Sequence, residues 1–131
     1  MIGADTNVVL RFLVRDDELQ AERSARVIRQ AVARREPIVL NSIVLVEMVW
    51  VLGSSYKYSR AEIAAALDDI LDADGFDIAD RDAVRAAVED YRTTKADFAD
   101  ALIGRLNQRA GCRDTLTFDR RLRPLATFRV L

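Results

Sequence analysis

The chain has 131 residues, half of them hydrophobic and 31% charged, and a formal net charge of −1. That length and apolar content suit one folded domain with its own core and exclude a disordered polymer. The absence of histidine and the single cysteine, Cys112, exclude Ser-His and Cys-His nucleophile systems, cysteine-built zinc sites and an intrachain disulfide.

Lys57 and Lys95 are the only lysines, so carboxylates acting with a hard cation lead the remaining routes to catalysis. Charge is unevenly spread: residues 1–60 carry a net +2, residues 61–100 a net −8 and residues 101–131 a net +5. The basic last third holds Arg105, Arg109, Arg113, Arg120, Arg121 and Arg123. Such a stretch can meet phosphates, although solvated helix faces are the simpler account. Residues 43–52 form the longest apolar stretch, but Glu47 interrupts it and it is half a membrane span. Asp5 and Arg11 break the N-terminal apolar run, which argues against a signal peptide. A single cytoplasmic domain over residues 1–131, without a membrane segment, is expected.

Taken in order, residues 2–5 read as a short buried strand that delivers Asp5 to its carboxyl end. Residues 7–14, with Val8, Val9, Leu10, Phe12 and Leu13, read as a short helix. Asp16-Asp17 caps a second helix to about Arg34, with Ala21, Ala25, Ile28, Ala31 and Val32 at helical spacing, and Pro37 stops it. Ile38-Val39-Leu40 suits a buried parallel strand. Asn41-Ser42 caps a helix over residues 43–53 that is apolar nearly all round, which implies burial on more than one face, in the core or against a second subunit. Ser59 and Glu62 make a capping box for a helix with Ile63, Leu67, Ile70 and Leu71 on one face. Residues 75–79 form a strand, Asp80 caps a helix through about Thr93, and residues 97–110 form another helix, ended by Gly111. Residues 115–118 form a strand followed by Asp119, and residues 128–131 close the chain. Strands alternating with helices predict an α/β fold with a short, mostly parallel sheet and helices on both faces.

In such sheets ligands bind outside the carboxyl ends of strands, where Asp5 and Asp119 both fall. Taken singly, each is a helix N-cap before it is a ligand. Glu47 has apolar neighbours on every side and no cation three or four residues away. It therefore opens onto a polar cavity or finds a distant arginine, because carboxylates are rarely buried alone. On the helix of residues 97–110, Phe98, Leu102, Ile103 and Leu106 form an apolar arc, with Asp100 roughly 60° beyond it and Asp97 about 60° further. Gly104 projects between those two acids and would let another part of the chain come close. Asp97 also suits the helix dipole. Carboxylates gathered together repel and raise one another's pKa, a conflict that Mg²⁺ or Mn²⁺ relieves. The chemistry that follows is phosphodiester hydrolysis.

Asp5-Thr6-Asn7, a glutamate inside an apolar helix, Asp97-Phe-Ala-Asp100-Ala-Leu-Ile103 and Leu116-Thr117-Phe118-Asp119 together resemble the PIN-domain ribonucleases, and among them the compact VapC toxins. The resemblance runs the length of the chain. It implies a three-layer α/β/α domain and a Mg²⁺- or Mn²⁺-dependent endoribonuclease of tRNA, rRNA or mRNA. By position, Asp5 and Asp100 would be the main metal ligands. Glu47 and Asp119 would complete the catalytic acids, Asp97 would be auxiliary, and Thr117, Thr6 and Asn7 match the family's hydroxyl and N-terminal turn. The family's habits imply a homodimer neutralised by a small VapB-type antitoxin. The alternatives are a PIN-fold nuclease outside a toxin–antitoxin pair, or a non-catalytic RNA-binding domain of the same fold. A phosphoacceptor receiver domain fits poorly, since one acid ends the first strand and Lys95 precedes a helix.

Overall fold

The computed structural model describes residues 1–131, which group into two compact units. The first comprises Met1–Lys57 and Asp69–Ala79. Its centre is a parallel sheet of β1 (Ile2–Gly3), β2 (Ile38–Leu40) and β3 (Phe76–Ile78), in the order β1-β2-β3. Ile38 pairs with Ile2 on one side and Phe76 on the other. Ile38 and Leu40 are fully buried, as the middle strand of a parallel sheet should be. Helix α1 (Thr6–Leu13) packs on α2 (Glu18–Ala33) and on α3 (Ser42–Ser54). In α2, Ala21, Ala25, Ile28 and Ala31 are buried at helical spacing, and Asp17 caps the start by accepting from the Gln20 N–H. Arg35, in the left-handed region with φ 54, and Pro37 end it.

Asn41 caps α3 by accepting from the Val44 N–H at 3.0 Å. Only one face of α3 is buried, through Val44, Leu45, Met48 and Leu52. Ile43 is 77% exposed and Trp50 68%, so of the two expected ways of covering this helix the chain's own core supplies only one face. An all-round apolar sequence marks a helix that wants cover without saying which faces the chain's own packing will supply.

The second unit comprises Tyr58–Asp68 and Asp80–Leu131. It contains most of α4 (Arg60–Asp72), together with α5 (Arg81–Thr93), α6 (Phe98–Arg109), β4 (Thr115–Thr117), a 3-10 turn (Arg120–Leu122) and β5 (Phe128–Val130). Strands β4 and β5 form a second parallel ladder, Thr115 opposite Phe128 and Thr117 opposite Val130. The five strands thus hydrogen-bond as three plus two. Each has only two or three residues, so the helices supply most of the core. The capping box at α4 is reciprocal: the Ser59 N–H donates to Glu62 and the Glu62 N–H to the Ser59 hydroxyl.

Helices α5 and α6 form a tight pair. Val84, Ala87, Val88 and Tyr91 meet Phe98, Ala101 and Leu102, all buried, and Tyr91 and Phe98 sit edge to face at 6.2 Å. Arg105 grips Asp90 with two parallel bonds of 2.7 and 2.8 Å. The sequence arc placed Ile103 inside, yet it is 48% exposed, while Gly104 is buried. A Cβ at residue 104 would come within 2.5 Å of the Thr127 hydroxyl and 2.6 Å of the Phe128 ring. Phe98 and Leu102 stay buried as expected, and the closest approach, by Thr127 and the start of β5, is to Gly104 beside the half-exposed Ile103. Asp80 also departs from expectation: it lies at φ 52 with no side-chain cap bond and pairs instead with Arg109 at 3.3 Å. No helix is long and apolar enough to cross a membrane.

Candidate active site

In the first unit, the Ala4 N–H still donates to the Val39 carbonyl, so sheet pairing ends at the residue before Asp5. Asp5 then N-caps α1, its Oδ1 accepting from the Val8 N–H at 3.2 Å. Thr6 is buried and Asn7 exposed. Asp5 lines a mostly apolar cavity of about 440 Å³ together with Ile2, Val8, Arg23, Val27 and Ile28. Glu47 is exposed, on the side of α3 that carries Ile43 and Trp50. It is not buried. Of the apolar neighbours that suggested enclosure, Val44, Leu45, Met48 and Leu52 are the ones on the buried face of the helix.

The second unit brings Asp97, Asp100 and Asp119 within electrostatic reach of one another. Asp97 N-caps α6 but spends no side-chain bond on the cap, which leaves its carboxylate free to act on neighbours. Asp100 lies one turn into the helix and is half-buried. Burial, then the fields of Asp97 and Asp119, raises its pKa above the ordinary aspartate value, with Arg121 pulling the other way. Asp119 follows β4, where the Thr117 hydroxyl accepts from its N–H at 3.0 Å. Its own carboxylate accepts from the Arg121 N–H at 2.9 Å and from the Arg121 guanidinium at 2.8 to 3.2 Å. Those bonds lower the Asp119 pKa.

Two contacts fix the loop that carries Asp97. Ala96 is buried with Leu122 and Leu125, beside Phe128, which ties the residue before Asp97 to the turn after Asp119. The Arg60 Nη2 donates to three carbonyls, those of Tyr91 at 2.7 Å, Thr94 at 3.1 Å and Ala96 at 2.7 Å. Its guanidinium also lies 3.9 Å from the Tyr91 ring centroid. One cation thus satisfies the otherwise unpaired carbonyls at the end of α5 and holds the path to α6.

Within this group no three acids are drawn in to ligand distance of one point. The donor set still suits a hard cation. It is all oxygen, it includes a half-buried acid whose proton affinity is raised by its neighbours, and it has already recruited a guanidinium as counter-charge. Hydrated Mg²⁺ needs only one or two carboxylates.

The PIN domain family model matches residues 3–127. The chain belongs to the PIN-domain family. Among curated proteins it is similar to the VapC ribonuclease of Aquifex aeolicus (strain VF5), with 26% identity over 121 residues, 92% of this chain and 89% of that protein. No solved structure matches significantly.

Sequence reasoning left two residues unassigned. Arg121 stood undistinguished among the C-terminal arginines, although its place two residues after Asp119 is where an aspartate turn returns a side chain. Arg60 carries no local signal, since its partners lie 31 to 36 residues away.

Proposed function

We propose that this PIN-domain chain is a Mg²⁺- or Mn²⁺-dependent endoribonuclease toxin, restrained by a VapB-type antitoxin. The observation that carries the reading is the grouping of Asp97, Asp100 and Asp119, in which burial first and then its two acidic neighbours raise the proton affinity of Asp100. Perturbed carboxylates of this kind cluster at functional sites. The similarity to a protein named VapC ribonuclease supports the choice of RNA and of a toxin–antitoxin setting.

Asp5 and Asp100 would be the main ligands of the ion, with Glu47 and Asp119 completing the acidic set by holding its waters or a second, weaker ion, and Asp97 auxiliary. A divalent ion held there would supply charge stabilisation to a phosphodiester and lower the pKa of water. The chain's own residues do the positioning. Thr117 fixes the backbone of Asp119, Asp5 is oriented by the N-terminus of α1, and Thr6 and Asn7 shape the turn beside it. Residues 1–131 act as one nuclease domain in the cytoplasm. The exposed Ile43 and Trp50 on α3 suit a homodimer contact, since large exposed apolar side chains on one helix face mark association surfaces.

The test is digestion of RNA by the parent chain with Mg²⁺, with Mn²⁺ and in EDTA, beside Asp5→Asn and Asp100→Asn. Cutting that needs the divalent ion and falls by about a hundredfold or more in both variants is expected, since even outer-shell changes cost about 10–100-fold. Undiminished cutting in EDTA, or by Asp100→Asn, would overturn the reading.

A further inference from the structure

We propose that Arg121 is a built-in counterion which a metal ion must displace from Asp119, so that this side chain sets the metal concentration at which the site fills. The inference rests on the metal-site reading above.

The geometry separates Arg121 from the arginines around it. Arg120 and Arg123 flank it in the sequence, but only the Arg121 guanidinium lies on Asp119, through Nε and Nη2. The turn beneath is anchored by Leu122, which is 2% exposed, whereas the Arg121 side chain is 65% exposed. A fixed backbone with a solvated side chain lets the guanidinium leave without unfolding the turn. Exposed ion pairs are worth little, so the exchange is cheap.

The grip nevertheless covers both carboxylate oxygens of Asp119, Oδ1 through Nε and Oδ2 through Nη2, the atoms a cation would use. The charges of Asp97 and Asp100 also bear on the guanidinium. In the absence of metal, the positive charge the three acids demand is therefore supplied from within the chain. When a divalent ion arrives, it meets both a blocked ligand and a like charge.

The backbone makes a clean test possible. The Arg121 N–H donates to Asp119 Oδ1, so Arg121→Gln removes the charge and keeps the turn. A divalent ion and a unit charge about 6 Å apart in near-aqueous surroundings repel enough to change binding about tenfold. Mn²⁺ affinity is measured without RNA, by electron paramagnetic resonance of the free ion and by the Mn²⁺-induced rise in Tm. The parent, Arg121→Gln, Arg121→Lys and Asp100→Asn are compared, with circular dichroism checking each fold.

Arg121→Gln should bind Mn²⁺ roughly tenfold tighter than the parent. Arg121→Lys, which keeps the charge but loses the two-point grip, should fall between them. Affinity in Arg121→Gln and Arg121→Lys equal to or below that of a Mn²⁺-binding parent would overturn this inference and leave the metal site standing. No Mn²⁺ binding by the parent, or binding unchanged in Asp100→Asn, would overturn the metal-site reading and this inference with it.

Discussion

Two arginine–aspartate pairs in the second unit use the same chemistry for different ends. Arg105 and Asp90 join α6 to α5 with Asp90 only 8% exposed. Arg121 and Asp119 also make a two-point contact, 2.8 Å at its closest and 3.1 Å at the other oxygen, with the arginine side chain 65% exposed. Surroundings separate the two pairs more than hydrogen-bond length does. A buried pair cannot lose one partner without stranding the other's charge, so the first is a fastener. The second lies beside further acids and open water, where a competing cation can take the arginine's place.

The sharpest way to break this contrast is Asp90→Ala. It should cost about 3 kcal/mol of stability, at the low end for a broken buried pair, because Arg105 keeps 29% of its side chain exposed. Urea denaturation reads it, and a loss below about 1 kcal/mol, the range of a surface pair, would put the two pairs in one class. Gly104→Ala tests the other side of the same helix. Its Cβ meets Thr127 and Phe128, and overpacking of this kind costs about 1–3 kcal/mol. A Tm equal to the parent's would mean that β5 yields easily.

Asp119→Asn is expected to leave Tm close to the parent's, as for an exposed pair, while RNA cutting falls by about tenfold or more. The reverse pattern would make Asp119 a fastener like Asp90. The smallest effect is in pH dependence. Asp100 has a raised folded-state pKa, so the folded chain binds its proton more tightly than the unfolded chain. Its stability cost therefore appears as pH rises from the ordinary aspartate value through the raised one. Asp119, lowered by Arg121, works oppositely: it stabilises above the ordinary value and loses that contribution as pH falls. In metal-free buffer, Asp100→Asn should melt above the parent at neutral pH, with the gap closing below the ordinary aspartate value. A gap that widened in acid would reject the assignment.

What the sequence made legible was local. The capping box at Ser59 and Glu62 and the caps at Asp5, Asp17 and Asn41 need only the next three residues to form, and all are present. Asp97 and Asp100 could be put near one helix edge from the helical repeat alone, and their mutual field appears in the structure. Features decided by a distant partner stayed hidden. Helical spacing marked Gly104 for the close approach that Thr127 and Phe128 make, but could not show that Ile103 would be left 48% exposed. A run of apolar residues could not reveal that Glu47 sits on the uncovered side of α3. The placement of Asp80 turned on Arg109, 29 residues away, and the three carbonyls held by Arg60 could be found only in three dimensions. The candidate acids were thus readable because each begins or edges a helix. Their counter-charges were not, because an arginine's reach lets it choose among many acids.

Trp50 has one more consequence. It is the only tryptophan in the chain, and its indole stands 68% in water on the open side of α3. Its intrinsic fluorescence should therefore peak toward the red, as for a solvated indole, and move to the blue when anything apolar settles over that helix. Dilution of the protein alone and titration with a second component would each give an optical isotherm without a dye, reporting separately on self-association and on capture of a different molecule.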